Sequence, residues 1–483
     1  MHAVRLALVC LALLSTACQY GRRTALDRLH PCDISEGPPD VFCGQLQIFE
    51  NRDARAGRTI DLKIVVAPAL RRDARPDPLF VFEGGPGGGA ATLAPYRVPM
   101  FRRFQTDRDI VLVDQRGTGA SNPLDCTVDN PDADDFRALD DYPVGRFRDC
   151  LQKLDADPRL YTTPIAMDDI DDVRTYLGYG AINLWGGSYG TRAALVYLKR
   201  HEASVRSVVL DGVAPTDMHL PLYMARDSQR ALDRLVSDCQ RDPVCRQQFP
   251  DLATTIRELW ATLASRPLVS FTHPRTGQPE RVAVSQRLVA GIVFQALYVP
   301  EVASLLPRLL SDAAAGHYQG LFALAFSRDL PKGGMSDGMF LSVVCAEDLP
   351  RIGAEEIARE TADRFIGSVM FDTQMKPCEF WPRGAIADDY YAPVVSDRPV
   401  LIFSGADDPV TPPSWGEQVA AHLPRSKHFV VPGAGHITLM RGCVPEMVTA
   451  FLDRASPDGL DGACLTTLSR PPFFTNYTGP VRP

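Results

Sequence analysis

Residues 181–200 predict a strand, a tight glycine-rich turn and a helix in direct succession. The apolar run 181–185 is followed by Gly186-Gly-Ser-Tyr-Gly190, and a helical pattern begins at Tyr189. A serine at the centre of such a turn adopts a strained backbone conformation, so the positions two residues away must lack side chains. The turn lifts the Ser188 hydroxyl above the edge of a sheet and onto a helix N-terminus, where backbone N–H groups stabilise developing negative charge. Ser188 is therefore the predicted nucleophile; the alternative is a glycine-rich turn that carries a serine incidentally.

Apolar runs of strand length alternate with helical patterns before and after this turn. The runs lie at residues 41–49, 59–66, 78–82, 109–113, 181–185, 205–210, 399–403 and 428–431. Such alternation predicts a mostly parallel sheet with helices on both faces. Between residues 214 and 394 the periodicity is mainly helical, so we expect a helical insertion of about 180 residues to interrupt the sheet. Residues 21–40 show no regular pattern.

A serine hydroxyl needs a general base, and His436 is the histidine best placed for that role. It ends the glycine-rich segment Pro432-Gly-Ala-Gly-His436, directly after the run 428–431. Loops at the carboxyl ends of strands are where α/β sheets place their active groups. His436 is therefore the predicted base, and a histidine in an ordinary surface loop is the alternative.

The base in turn needs an orienting acid, and two candidates follow the run 399–403. Asp407 and Asp408 stand together in Gly405-Ala-Asp-Asp-Pro-Val-Thr-Pro412. We choose Asp408, because it directly precedes the proline in this G-x-x-D-P-V-T-P pattern. The chain order Ser188, Asp408, His436 is that of the α/β-hydrolase fold, which is the predicted fold class, with a large helical cap inserted.

An oxyanion must be stabilised by preorganised N–H donors beside the nucleophile. One predicted donor is the backbone N–H of Tyr189, the residue after the nucleophile. The second is assigned to Gly85 in the glycine-rich loop 83–89, which follows the run 78–82 and lets backbone approach a substrate closely. This loop lacks the Lys-Ser/Thr pair of a phosphate-binding loop, and the predicted chemistry needs no cofactor.

The amino terminus predicts export. Arg5 precedes an apolar run at 6–14 that is too short to span a bilayer, and small residues follow, so residues 1–17 form a predicted signal peptide. Leu14-Ser-Thr-Ala-Cys18 resembles a bacterial lipobox, which implies a lipid on Cys18 as the sole contact with a membrane. Cleavage after Ala17 by an ordinary signal peptidase is the alternative. The expected location is the periplasm, the membrane surface or the extracellular medium.

The cysteine count agrees with export. Twelve cysteines minus Cys10 and Cys18 leave an even number, as expected for disulfides in an exported chain. We favour pairing between sequence neighbours, because short loops close at low entropic cost. The predicted pairs are Cys32/Cys43, Cys126/Cys150, Cys239/Cys245, Cys345/Cys378 and Cys443/Cys464.

Two other classes of ligand have no support in the sequence. No Cys-x-x-Cys pair or Cys/His cluster has the spacing of metal ligands, so no metal is expected. The net charge is −8 and no Lys/Arg-rich run occurs, so nucleic-acid binding has no electrostatic basis.

Five segments together match a family pattern: Gly84-Gly-Pro-Gly-Gly88, Asp114-Gln-Arg-Gly-Thr-Gly-Ala-Ser121, Gly186-Gly-Ser-Tyr-Gly190, Val209-Leu-Asp-Gly-Val213 and residues 405–413. They resemble the proline iminopeptidase and tripeptidyl aminopeptidase-like serine peptidases. Cys43-Gly-Gln-Leu46 with Glu50-Asn-Arg52 looks like the exported, tripeptidyl-aminopeptidase branch. The resemblance implies an α/β-hydrolase core at residues 18–213 and 395–483, a helical cap at 214–394, and removal of residues from free peptide N-termini. Iminopeptidases usually carry histidine before the double glycine, where this chain has Glu83, so proline specificity does not follow.

A peptide substrate with a free N-terminus brings an ammonium group, which needs a carboxylate partner once it is buried. The candidates in the cap are Glu347 and Asp348, together with Glu379 next to Cys378. A solvated acidic turn is the alternative. Structural roles, as salt bridges or loop anchors, are expected for three other charged residues: Asp114, Arg116 and Asp211.

The sequence thus predicts an exported serine aminopeptidase that acts on short peptides through an acyl-enzyme on Ser188. A carboxylesterase or related acyl hydrolase with the same triad is the alternative, and a catalytically inactive binding protein is a third. The acidic cap segment and the family resemblance favour the first, and the filled catalytic positions argue against the last.

Overall fold

The computed structural model describes residues 25–34, 40–126, 144–326 and 335–480. The predicted signal peptide, residues 1–17, and the predicted lipid site Cys18 lie outside the described residues. Across these four ranges, no helix is both long enough and apolar enough to cross a membrane.

A nine-stranded sheet forms the centre of the molecule. In chain order the strands of the described residues are β1 His30–Cys32, β2 Val41–Phe49, β3 Thr59–Ala67, β4 Leu79–Phe82, β5 Ile110–Val113, β6 Ile182–Gly187, β7 Val205–Asp211, β8 Leu268–Thr272, β9 Pro279–Ala283, β10 Val400–Gly405, β11 Ser426–Val431, β12 Phe474–Asn476 and β13 Gly479–Pro480. The pairs β8–β9 and β12–β13 form two separate two-stranded sheets. The sheet order is β1-β2-β3-β5-β4-β6-β7-β10-β11. Neighbours from β5 to β11 pair in parallel, whereas β1, β2 and β3 form an antiparallel edge.

The central strands are buried on both faces, which explains why their sequences are continuous apolar runs. Successive side chains of a strand point to opposite faces. In β4, Phe80 and Phe82 therefore pack into one hydrophobic cluster, while Leu79 and Val81 pack into another. The predicted, mostly parallel sheet with helices on both faces is confirmed.

Helices surround the sheet and fill the insertion. They are α1 Ala94–Phe101, α2 Val144–Lys153, α3 Thr163–Leu177, α4 Tyr189–His201, α5 Met224–Arg241, α6 Pro243–Gln248, α7 Leu252–Leu263, α8 Gln286–Leu297, α9 Pro300–Ala303, α10 Leu306–Ala314, α11 Gln319–Ala325, α12 Asp337–Val343, α13 Ala354–Thr361, α14 Val369–Met375, α15 Pro413–Ala420 and α16 Val444–Arg454. Helix α3 ends at Gly178, whose positive φ of 76° lets its N–H bond the carbonyls of the last turn.

The chain leaves the sheet after β7 and returns at β10. Between them it forms α5 to α14 and the hairpin β8–β9, and apolar side chains of this segment pack together, among them Leu235, Leu259 and Val293. The helical character expected here is observed, but the hairpin was not predicted. The boundaries at residues 214 and 394 stay a prediction.

All five predicted cysteine pairs are disulfides in the structure. One of them, Cys32–Cys43, joins β1 to β2. The prediction that residues 21–40 are irregular is wrong for His30–Cys32, which pairs with Val41–Cys43. A three-residue strand carries too little periodicity to be predicted, and its pairing partner and disulfide define it instead.

Candidate active site

Ser188 stands on the turn between β6 and α4, in the conformation expected of a nucleophile turn. Its φ is 57° and its ψ is −128°, a region that costs a residue other than glycine about 1–3 kcal/mol. A Cβ at Gly186 would lie 2.2 Å from the carbonyl oxygen of Gly190, and a Cβ at Gly190 would lie 2.2 Å from that of Phe82. Both glycines are therefore required by close backbone packing, which also presses the turn against the end of β4.

His436 and Asp408 form a hydrogen-bonded pair. The distance from His436 Nδ1 to Asp408 Oδ2 is 2.9 Å, and the Asp408 side chain is fully buried. The same carboxylate accepts the backbone N–H groups of Val410 and Thr411, at 2.9 and 2.8 Å, and the Thr411 hydroxyl at 2.7 Å. A carboxylate acceptor places the His436 proton on Nδ1, which leaves Nε2 free to act as a base.

The two groups favour each other's charged form. Burial alone favours neutral forms, but the imidazole and the backbone N–H groups outweigh it and hold the pKa of Asp408 below its usual value. In the same way burial lowers the pKa of His436, but the neighbouring Asp408 carboxylate outweighs burial and raises that pKa above its usual value. The pair therefore favours an ionised Asp408 and makes His436 a stronger base than a free imidazole.

The structure brings Asp408 to the histidine and turns Asp407 away. Asp407 lies 2.9 Å from Arg234 Nε through one oxygen and 2.9 Å from an Arg470 nitrogen through the other. Its carboxylate is thus occupied by two guanidinium groups. The structure thus places Asp408, and not Asp407, against His436, and the catalytic role of Asp408 stays a prediction.

Asp211 ties the nucleophile turn to the histidine loop. Its carbonyl accepts the N–H of Ser188 at 3.0 Å. Its carboxylate accepts the backbone N–H groups of Thr438 and Leu439, at 2.9 and 2.8 Å. Burial raises the pKa of Asp211 to about 6, against the opposing effect of these donors. The structural role expected for Asp211 is thus specific: it holds the loop that carries His436 beside the turn that carries Ser188.

The glycine-rich loop after β4 lies directly against Ser188. A Cβ on Gly84 would be 3.1 Å from Ser188 Cβ and 3.5 Å from Ser188 Oγ. Gly85 follows with a φ of 123°, and the backbone N–H of Ser336 bonds the Gly87 carbonyl at 3.0 Å, so the insertion holds this loop. The loop is therefore within reach of a substrate carbonyl on Ser188. The donor roles of Gly85 and Tyr189 stay predictions.

Glu83, which stands where iminopeptidases carry histidine, forms an ion pair with Arg97 of α1. Glu83 is buried, whereas 29% of the Arg97 side chain is exposed, so the pair lies at the edge of the core.

The insertion also contacts His436. The backbone carbonyl of Tyr298 accepts the backbone N–H of His436 at 3.0 Å, and the two rings meet edge to face with centroids 5.1 Å apart. Sequence reasoning missed Tyr298, because nothing in its local pattern marks it. It also gave no role to Thr411, although this residue lies inside the motif that selected Asp408.

Glu347 and Asp348 lie in a π-helical turn, Val344–Asp348, and both are fully buried. Glu347 accepts hydrogen bonds from the Thr163 N–H at 2.6 Å, the Thr163 hydroxyl at 2.8 Å and the Tyr390 hydroxyl. Asp348 lies 3.1 and 3.0 Å, through its two oxygens, from one nitrogen of the buried Arg192.

These contacts correct the prediction that Glu347 and Asp348 bind a substrate ammonium. Both carboxylates already have internal donors, and Asp348 offsets the buried charge of Arg192, which lies on α4 one turn after the nucleophile. The Thr163 hydroxyl also bonds the Tyr189 hydroxyl at 2.6 Å. The cluster therefore positions the helix behind Ser188, which sequence could not reveal because Arg192 and Asp348 are 156 residues apart.

Glu379, the third carboxylate predicted to bind the ammonium, is exposed. It ends the short helix Lys376–Glu379, which packs near α2. No contact with Ser188, Asp408 or His436 places it in the site.

Asp114 and Arg116 are loop anchors with different partners. Asp114 accepts the Thr92 and Ala120 N–H groups, each at 2.9 Å. Arg116 donates to both oxygens of Asp169, at 2.6 and 2.9 Å.

We expect Asp348→Asn to lower the free energy of unfolding by about 3–5 kcal/mol, because it removes the carboxylate that hydrogen-bonds the buried Arg192 and leaves that charge only Glu347, at 3.8 Å. Chemical denaturation of the two proteins measures the difference. Glu379→Gln, which removes an exposed carboxylate from the same predicted set, should change stability by less than about 0.5 kcal/mol. A normal stability of the Asp348 variant, with a raised KM for free peptides alone, would contradict this account and restore the amine-binding role.

Comparison with known proteins agrees with this geometry. The family model described as the alpha/beta hydrolase fold matches residues 77–442, more than half of the chain. The chain belongs to the α/β-hydrolase family. This member is a serine hydrolase, and the role of Ser188 as its nucleophile stays a prediction.

Individual relatives are distant. Serine protease Hip1 of Mycobacterium tuberculosis is 26% identical over 459 residues, covering 86% of this chain and 85% of that protein. Proline iminopeptidase of Neisseria gonorrhoeae is 30% identical over 138 residues, 28% of this chain and 32% of that protein. Among solved structures, the proline iminopeptidase of Mycobacterium smegmatis has a TM-score of 0.40 and 15% identity, covering 85% of this chain and 98% of that chain.

Proposed function

We propose that this protein is an exported serine aminopeptidase that releases N-terminal residues or short fragments from peptides. The single observation that carries the proposal is the buried Asp408–His436 pair, which the Asp211 contacts hold beside the strained Ser188 turn. Similarity to a serine protease along most of the chain supports peptide hydrolysis. The shorter similarity to proline iminopeptidases supports action at a free N-terminus.

In the proposed reaction, Ser188 Oγ attacks the carbonyl carbon of the scissile peptide bond while His436 Nε2 takes its proton. The backbone N–H groups of Tyr189 and Gly85 stabilise the resulting oxyanion. His436 then gives the proton to the leaving amine, which departs as the shortened peptide. Water, activated by the same imidazole, releases the N-terminal fragment from Ser188.

Asp408 supports this cycle at the step where charge appears on the base. It fixes His436 with the proton on Nδ1 and stabilises the imidazolium that forms. Thr411 holds the Asp408 carboxylate in place, and Tyr298 holds the backbone of His436 from the side of the insertion.

The proposal includes export. The five disulfides fit an oxidising compartment, since cytosolic thiols are kept reduced. The signal peptide at residues 1–17 and the lipid on Cys18 stay predictions of the sequence, and the proposed partner is a peptide with a free N-terminus.

A free peptide should be cleaved about tenfold to a hundredfold faster, in kcat/KM, than its N-acetylated form, because acetylation removes the charge of the ammonium, and a charge-assisted hydrogen bond to that group contributes about 1.5–3 kcal/mol. The acceptor of this bond is a group other than Glu347 and Asp348, whose carboxylates have internal donors. The measurement uses fluorogenic peptides of one to three residues, each free and acetylated, beside a short neutral acyl ester. The ester is the control, because it reports the triad without amine recognition. Equal rates for free and acetylated peptides would overturn the aminopeptidase proposal, and fast ester hydrolysis without peptide cleavage would favour an esterase.

A further inference from the structure

An open cleft of about 710 Å³ lies between α5 of the insertion and α15 of the core. Four arginines line it, against two aspartates: Arg226, Arg230, Arg234, Arg364, Asp227 and Asp233. This excess of positive charge is notable in a chain whose net charge is −8.

Part of the charge is already neutralised. Arg226 Nε lies 2.8 Å from Asp227 Oδ1, and the Trp415 indole donates to Asp227 Oδ2 at 3.0 Å. The Arg226 guanidinium also lies over the Trp415 ring, 5.5 Å from its centroid. Arg226 and Asp227 therefore form a closed pair in the wall of the cleft.

Arg230 and Arg234 retain donors. Arg230 bonds the carbonyls of Ala406 and Asp408, at 3.2 and 2.9 Å, while its buried Nε has no hydrogen-bond partner among the described residues. Burial and the charge of Arg234 lower the pKa of Arg230. Arg234 shares the Asp407 carboxylate with Arg470. Asp407 is thus divided between two guanidinium groups, and Asp233, the second aspartate of the lining, accepts from Gln229 Nε2 at 2.8 Å rather than from an arginine.

Arg364 also lines the cleft, on a segment that packs against α5. Its buried Nε also has no hydrogen-bond partner in the described parts of the chain. Its backbone is fixed, because the N–H of the next residue, Phe365, bonds the Gln229 side chain at 2.8 Å and the Phe365 carbonyl accepts from the Trp260 indole at 3.1 Å. No hydrogen bond or ion pair within the described residues occupies the rest of this guanidinium, so Arg364 lines the cleft as a positive charge without a carboxylate partner.

We propose that this cleft binds a small anion bearing a carboxylate or phosphate group, held between Arg364 and the pair Arg230 and Arg234. Planar guanidinium groups with open donors suit both anions. The site lies behind the loop that carries Asp408, and its existence does not depend on which substrate the enzyme cleaves.

Isothermal titration calorimetry of the mature protein tests the site, with inorganic phosphate and succinate titrated separately at constant ionic strength. At least one anion should bind saturably at one site and raise the Tm of the protein. Tighter binding of phosphate would identify phosphorylated molecules as the ligands, and tighter binding of succinate would identify carboxylates. Equal binding would show a general anion site. Arg364→Gln should weaken binding by at least about tenfold while leaving peptide hydrolysis unchanged.

Arg257→Gln is the matched control, because Arg257 is an exposed arginine of α7 outside the cleft, bonded to Thr254. It should bind the anion as the wild type does. Thermal unfolding of both variants establishes that they fold. Absence of saturable binding for both anions would overturn the proposal, and so would an equal loss of affinity in the two variants.

Discussion

Replacing Ser188 with alanine should lower kcat by about 10⁶-fold while the fold remains intact, as expected when a serine hydrolase loses its nucleophile. The backbone strain of the turn comes from its φ of 57°, and alanine meets the same strain as serine, so stability should hardly change. The residual rate then reflects binding and oxyanion stabilisation alone. Steady-state kinetics on a free peptide and thermal unfolding measure the two effects.

Ser265→Ala is the control for this experiment. Ser265 is exposed in the turn after α7, where its hydroxyl bonds only the Thr262 carbonyl among the described residues. Its replacement should leave kcat within a factor of about two, since surface changes of this kind have small effects. Full activity of the Ser188 variant would show that another group is the nucleophile.

Replacing Asp408 with asparagine should lower kcat by about 10⁴-fold, because the amide no longer stabilises the imidazolium or its tautomer. The change should also move the acid limb of the pH profile of kcat/KM. Asp408 raises the pKa of His436 against the effect of burial, so its loss lets burial lower that pKa. Since His436 must be neutral to act as a base, the acid limb should shift to lower pH in the variant.

Asp407→Asn is the matched control for the acid. Asp407 is the adjacent aspartate, and its carboxylate contacts Arg234 and Arg470 rather than His436. We expect a modest loss of stability, an unchanged acid limb and a much smaller loss of kcat. Equal losses at the two positions, or a larger loss for Asp407→Asn, would contradict the assignment of Asp408.

Much of the core could be predicted because its physical causes are local. The run 110–113 must lie in a buried strand because all four side chains are apolar, and the structure buries each of them. The turn at Ser188 could be predicted because the close packing at Gly186 and Gly190 excludes any side chain. The same holds for Gly178, which ends α3 with a positive φ.

What could not be predicted depends on contacts between distant parts of the chain. The sequence predicts Glu347 and Asp348 near the substrate, because carboxylates bind an ammonium well. In the structure, they accept hydrogen bonds from Thr163, Tyr390 and Arg192 inside the protein. Tyr298 reaches His436 only through the packing of the insertion on the core. The strand His30–Cys32 exists through its partner β2 rather than through its own pattern.

Labelling with a fluorophosphonate, followed by peptide mapping, tests the central claim most directly. This probe reacts only with a serine that a base has activated. The position of the adduct therefore shows which serine His436 and Asp408 activate. We expect one adduct per protein, on the peptide that contains Ser188. Labelling should be lost in Ser188→Ala, and little or no labelling should remain in Asp408→Asn. An adduct on another serine, or an unlabelled protein that still hydrolyses peptides, would contradict the account.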